Sequence, residues 1–353
     1  MDTSLYRTAV AAGLSRVPAT DVALAKARGL FMGWVESFIP VLEAHDVLEV
    51  ESEFTFPLLN PETEAPSRSF LEAGKIDGVL RHKGTGVLKV LEHKTTSDSI
   101  DADSTYWGRL TMDTQISKYI LSLRSRGIDA NTVIYDVVRK PGYKLGNIPL
   151  LDEDGLKIVL DSAGERVRTQ DGKKWRQTAA AAADAGYVLQ TRPETLEELS
   201  SRTLTEINEK RDSYFSVKEV GRTDADLFEY MNDAWAMSQQ LLYFRNRNLW
   251  PRNPGACTQY GTCEFYDLCA GRATVDNIRF GPATKHAELT INEGYKQLLT
   301  NSRLTALRKC SRYHFLRYEQ PTKRLGEIDE ALALGTGFHN AAEEFLRHFV
   351  VNQ

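Results

Sequence analysis

The chain has little that would tie it to a membrane. No long apolar run interrupts its 353 residues, which excludes a transmembrane helix. The opening Met1-Asp2-Thr3-Ser4-Leu5-Tyr6-Arg7 lacks the basic-then-apolar pattern of a signal peptide, so an intracellular, cytoplasmic protein is expected. A basic excess is missing too. With a net charge of −4, any nucleic-acid contact must come from local basic patches or from a metal held by acidic groups. No internal repeat stands out, and the one biased stretch is a short polyalanine run at 179–183. Cysteine is scarce, four residues in all, and disulfides are the weaker reading for an intracellular chain. What remains, 42% hydrophobic and 26% charged residues, describes a soluble globular protein. The length suggests about two domains, or one large decorated one.

Periodicity sets out the elements. Residues 1–20 read as irregular, and 21–44 as an amphipathic helix with Asp21 as N-cap. Residues 47–56 alternate like a strand, and 60–66 are a polar loop. Apolar runs at 74–80 and 86–94, separated by turn residues, predict two adjacent antiparallel strands. A helix follows over about 104–126, then a β-branched, central strand over 132–138. Further on, 192–210 and 224–246 read as helices, with a strand at 214–220 between them. The stretch Lys173-Lys174-Trp175-Arg176 reads either as a DNA contact by stacking and phosphate pairing or as an exposed loop with one anchored tryptophan.

The chemistry concentrates in residues 72–119. Side chains alternate along a strand, so Glu92 and Lys94 point to one face and His93 to the other. With Asp77 on the first of the two strands, two carboxylates and one ammonium converge. Hard divalent cations take oxygen ligands, and Mg²⁺ commonly takes only one or two carboxylates. A lysine beside them can orient water or steady charge on a phosphate. Gln115 and Tyr119, at i and i+4, share one helix face and can hydrogen-bond to a phosphodiester or a base.

Taken together, Gly74-x-x-Asp77, Glu92-x-Lys94 and Gln115-x-x-x-Tyr119 resemble the motif set of the RecB-like PD-(D/E)XK nucleases. The β-β-β-α-β succession after a helix is that family's core order. The resemblance implies an α/β (α+β) fold: a restriction-endonuclease-like mixed central sheet flanked by helices, with helical and cysteine-cluster decorations. It also implies Mg²⁺- or Mn²⁺-dependent cleavage of DNA, single-stranded or with a free end.

Three cysteines, Cys257, Cys263 and Cys269, fall within thirteen residues, and Cys310 follows. A thiolate cage needs four ligands, and none is left over. Zinc is the rival, but its structural sites usually contain Cys-x-x-Cys pairs, and here both spacings have five intervening residues. The arrangement resembles the iron–sulfur subset of RecB-like nucleases, among them the CRISPR-associated exonucleases. There, one early and three late cysteines hold a [4Fe–4S] cluster, and two of them are only two residues apart, which is not so here.

The last seventy residues are out of order for that family. Residues 302–318 resemble its opening motif, and residues 334–343, with Gly335, Gly337 and His339, resemble the glycine-then-histidine motif that follows it on a helix. Both normally precede the sheet. A circular permutation accounts for this, with residues 270–300 as a surface join and residues 1–20 beside 345–353. The division is then 1–250 nuclease core with a helical insertion, 251–272 cysteine segment, 273–300 connection, and 301–353 helices completing both sites. Under permutation the resemblance makes His339 a metal ligand with Asp77, Glu92 and the backbone carbonyl of His93. Arg308, Lys309, Arg312 and Arg317 form a basic helix face suited to phosphate. The expected activity is that of a phage-type DNA exonuclease with a structural cluster. Two alternatives are a catalytically silent DNA-binding scaffold and a CRISPR-adaptation nuclease.

Overall fold

A computed structural model describes residues 3–16, 21–179, 186–259, 261–291, 293–326 and 330–351. The chain opens with α1 (Thr3–Ser15) and α2 (Asp21–Ala44), then β1 (His45–Leu59), β2 (Pro66–His82) and β3 (Leu88–Thr96). Helices α3 (Thr105–Thr111) and α4 (Thr114–Ser125) lead to β4 (Thr132–Arg139). Short strands β5 (Asn147–Pro149), β6 (Val159–Leu160), β7 (Val188–Leu189) and β8 (Thr191–Pro193) pair as two small antiparallel sheets, β5 with β8 and β6 with β7. Then come α5 (Leu196–Glu209), α6 (Arg211–Tyr214), β9 (Phe215–Gly221) and α7 (Asp224–Arg247). The remainder holds α8 (Tyr266–Cys269), β10 (Phe280–Pro282), β11 (Gln297–Leu299), α9 (Asn301–Lys309), α10 (Ser311–His314), β12 (Thr322–Arg324) and α11 (Glu330–Arg347). Among the described residues no helix is long and apolar enough to cross a membrane.

The architecture is a six-stranded mixed sheet flanked by helices, in the order β1-β2-β3-β4-β9 with β11 beside β2. β3 and β4 run parallel across the α3–α4 crossover, as a parallel pair requires. One face of the sheet carries Leu80, Leu91, Ile134 and Val138 and packs on Phe31, Trp34 and Phe38 of α2 and on Phe338 and Phe345 of α11. The other carries Ile76, Val79, Val90, Val133 and Tyr135 and packs on Ile116, Ile120 and Leu123 of α4. β4, buried on both faces, is central as its apolar, β-branched run predicts.

The edge of β2 is the feature that makes a cleft. β1 covers one edge of β2 along its length. The other edge is shared: β3 takes Gly78 to Arg81, and β11 takes Phe70 to Glu72. Residues 73–77 lie between the two partners, so the sheet opens at Asp77.

Several expectations need correcting. Residues 1–20 are not irregular: α1 buries Ala9, Val10 and Leu14 against α11. A Cβ on Gly13 would run into the backbone of Asn340 and Ala341, so only glycine permits this helix approach. Asp21 is the first residue of α2 rather than its N-cap. The single helix over 104–126 is two, broken at Met112 and Asp113, because Asp113 caps α4 by accepting from the Gln115 amide at 2.9 Å. The join at 270–300 is more than a surface connection, since it buries His286, Leu298 and Leu299 and adds β11 to the sheet. Most of the polyalanine run, residues 180–183, falls outside the described residues.

Candidate active site

β3 supplies the centre. Just past its last pair with β2, the amide of His93 donates to Asp77 Oδ2 at 2.8 Å. Oδ1 of Asp77 has no partner among the described residues. Glu92, 3% exposed, faces α4. Its Oε1 is 2.5 Å from Lys94 Nζ and accepts from Gln115 Nε2 at 2.9 Å. Its Oε2 is buried with no hydrogen-bond partner. Gln115 also accepts from Lys94 Nζ at 2.7 Å and donates to the Tyr119 hydroxyl at 2.6 Å. Tyr119 is buried edge-on against Phe54, so it holds Gln115 and does not reach into the cleft. Gln115 and Tyr119 therefore brace the carboxylate and the lysine, a different role from the one expected of them.

Burial, and then the charge of Asp77, push the Glu92 carboxyl up to about 8 against the pull of Lys94. For Lys94, burial works downward but Glu92 and Asp113 outweigh it, so the ammonium keeps its charge. A raised carboxyl stabilises the fold below its unfolded value, near 4.5, and loses that contribution as pH climbs through about 8. Metal-free protein should therefore lose stability between pH 5 and 8 relative to Glu92→Gln, as read from urea midpoints at the two pH values. Parallel pH profiles for the two proteins would refute the shift.

His93 points to the other face. Its Nδ1 lies 2.7 Å from Asp136 Oδ2, which also accepts from Trp34 Nε1 at 2.6 Å. Its Nε2 is buried without a hydrogen-bond partner. The His93 ring meets Trp34 and Phe38, and its centroid is 6.4 Å from that of His339. α11 brings His339 here by packing Gly335 on Thr95, where a Cβ would stand 2.8 Å from the threonine hydroxyl. Burial, with His93 and Lys94 adding to it and Asp77 opposing, drives His339 down to about 4. Its imidazole is neutral at physiological pH, the form that ligates metal.

The Asp77 charge thus acts on both Glu92 and His339, and the three side chains lie near one another. Among the described residues no set of three His, Cys, Asp or Glu side chains closes to a metal-holding group. The donors nonetheless fit a hard divalent cation: an open Asp77 oxygen, an orphaned Glu92 oxygen and a neutral imidazole.

The chain matches no family model and no curated protein.

The four cysteines come together at a second place. Cys257, Cys263, Cys269 and Cys310 line one small cavity with Phe265 and Tyr313, and all four thiols are free. The Cys263 amide donates to the Cys257 carbonyl at 2.8 Å, and the Asn253 amide donates to Cys310 Sγ at 3.3 Å. Cys310 is extended (φ −170°) at the break between α9 and α10, which turns it toward the loop. Burial, and then neighbouring thiols, push Cys269 up, and burial likewise raises Cys263. The four thiols thus share one cavity, and a cationic centre placed there would favour the thiolate forms of Cys263 and Cys269 that burial disfavours.

The expected basic face is not one helix face. Arg308 donates to Thr114 Oγ1 at 3.1 Å at the start of α4, whereas Lys309 and Arg312 lie over Tyr313 and Phe315. Trp175 is already covered by the guanidiniums of Arg166 and Arg168, which favours the anchored-loop reading of 173–176. Sequence reasoning missed Asp113, whose Oδ2 accepts from the Tyr135 hydroxyl at 2.6 Å, and Asp136. Both had a signal: a cap residue before Thr114, and a lone carboxylate within the apolar run of β4.

Proposed function

We propose that the chain is a Mg²⁺- or Mn²⁺-dependent deoxyribonuclease of the RecB-like PD-(D/E)XK type, acting on DNA with a free end. The observation that carries this reading is Glu92, with one oxygen shared by Lys94 and Gln115 and the other buried and unused. Asp77, Glu92, His339 and the His93 carbonyl would hold the cation. When bound, it supplies charge that polarises a phosphodiester and acidifies water.

The chain's own residues do the rest. Gln115 and Glu92 hold the Lys94 ammonium in one orientation, so its remaining donor can direct water or meet charge developing on phosphate. Tyr119 fixes Gln115, and the His93 amide fixes Asp77. The buried Asp136–His93–Trp34 set keeps β3 in register with α2.

Permutation is part of the reading. Supporting it, α11 carries His339 to β3, Cys310 joins the 257–269 segment, and the first helix packs on the last. The four cysteines would hold a structural [4Fe–4S] cluster, with zinc as the rival. End-labelled linear DNA should be degraded with Mg²⁺ or Mn²⁺ and spared with EDTA, while closed circles survive. Intact linear DNA under all conditions would leave only a silent DNA-binding scaffold.

Protein purified without oxygen should be brown and carry about four irons per chain. Cys310→Ala should lose both colour and thermal stability. Stoichiometric zinc without iron would replace the cluster by the rival site.

A further inference from the structure

Glu51 stands in the middle of β1 with φ +53°. Residues other than glycine rarely adopt this left-handed region. The pairs Val50↔Gly78 and Ser52↔Ile76 set it across from Asp77, and opposed like charges weaken strand pairing. Glycine would meet the backbone demand without strain and without the charge. Strain of this kind gathers where the surrounding structure uses it.

The Glu51 side chain is mostly buried and closes on Lys75 Nζ. Lys75 precedes Asp77 by two residues on β2 and so shares its face. Burial and the Asp77 charge push the Glu51 carboxyl up, with Lys75 opposing. Burial pulls Lys75 down, but Glu51, Glu343 and Asp77 together more than restore it. Glu343, one turn beyond His339 on α11, is held by Arg16 and Arg347 and adds to the same field. Lys75 therefore sits in the combined field of Glu51, Glu343 and Asp77, with Glu51 as its direct partner. The motif reading of the sequence used neither Glu51 nor Lys75.

We propose that Glu51 and Lys75 are positioning residues: Glu51 anchors the Lys75 ammonium, and that ammonium orients the neighbouring Asp77 carboxylate for a divalent cation. The inference rests on the reading of the cleft as a cation site.

Mn²⁺ binding by the full chain, followed by calorimetry, tests it. Glu51→Gln, Glu51→Gly and Lys75→Met should each weaken Mn²⁺ binding about 10- to 100-fold, the range seen when partners of metal ligands are removed. Lys75→Arg should keep it. Glu51→Gly should melt no lower than the parent, because the left-handed backbone is then unstrained. A purely structural pair would instead lose melting temperature in Glu51→Gly. Mn²⁺ affinities equal to the parent's in all variants, or a Glu51→Gly protein that melts lower, would overturn the inference while leaving the nuclease reading standing. A parent chain that binds no Mn²⁺ would remove both.

Discussion

Lys94→Ala should lower DNA cleavage by at least about 10³-fold and change binding to a DNA end by no more than a few-fold. The magnitude follows from removing a charged donor that acts on developing charge in a water-poor site. Such a group contributes more to the transition state than to the bound substrate, so the loss appears in kcat. Glu92→Gln should do the same for a different reason. It removes the carboxylate that would meet the proposed cation and that lies 2.5 Å from Lys94 Nζ. Because the two act as a unit, the double variant should be scarcely worse than either single one. Single-turnover cleavage, with binding measured separately in EDTA, decides the matter. Full metal-dependent activity in both single variants would place the chemistry elsewhere.

Lys118→Met should lower the unfolding free energy by about 3–5 kcal/mol. Lys118 is fully buried, with its Nζ 2.7 Å from Glu72 Oε2 and donating to the Leu299 carbonyl at 2.6 Å. Glu72 is itself 1% exposed and accepts from the Tyr230 hydroxyl at 3.0 Å. Removing the ammonium leaves a buried carboxylate and a carbonyl without their partner, and that uncompensated burial sets the size of the effect. Adding Glu72→Leu should return most of the loss, since neither charge then remains. Urea denaturation of the three variants tests this. A loss below about 1 kcal/mol in Lys118→Met would mean that the pair is not desolvated as described.

The strands were legible where a local pattern decides them. β1 follows from alternation, β2 and β3 from apolar runs around a turn, β4 from a β-branched run, and α2 and α7 from long helical periodicity. α1 escaped because its helix is settled by packing on α11, with Gly13 seated against the Asn340–Ala341 backbone, a contact that the local sequence does not reveal. β11 escaped because three residues carry no period, and its place depends on Phe70 to Glu72 far earlier in the chain. Within the site, Asp77, Glu92, Lys94 and Gln115 were readable as spaced motifs. Glu51 was not, because its position opposite Asp77 comes from β1–β2 register. Asp136 became meaningful only when Trp34 and His93 met it from two elements.

The late arrival of β11 bears on synthesis. Gln297 pairs with Phe70, so this stretch of the β2 edge stays open until residue 297 has left the ribosome. An unpaired strand edge invites association with other chains, and closure over so long a separation is slow. Transiently open edges of this kind are among the surfaces that chaperones protect in nascent chains. The same delay has a protective side in the proposed reading. His339 and Cys310 follow the other residues of their sites in the chain, so a product that stops before residue 310 would lack a ligand at each.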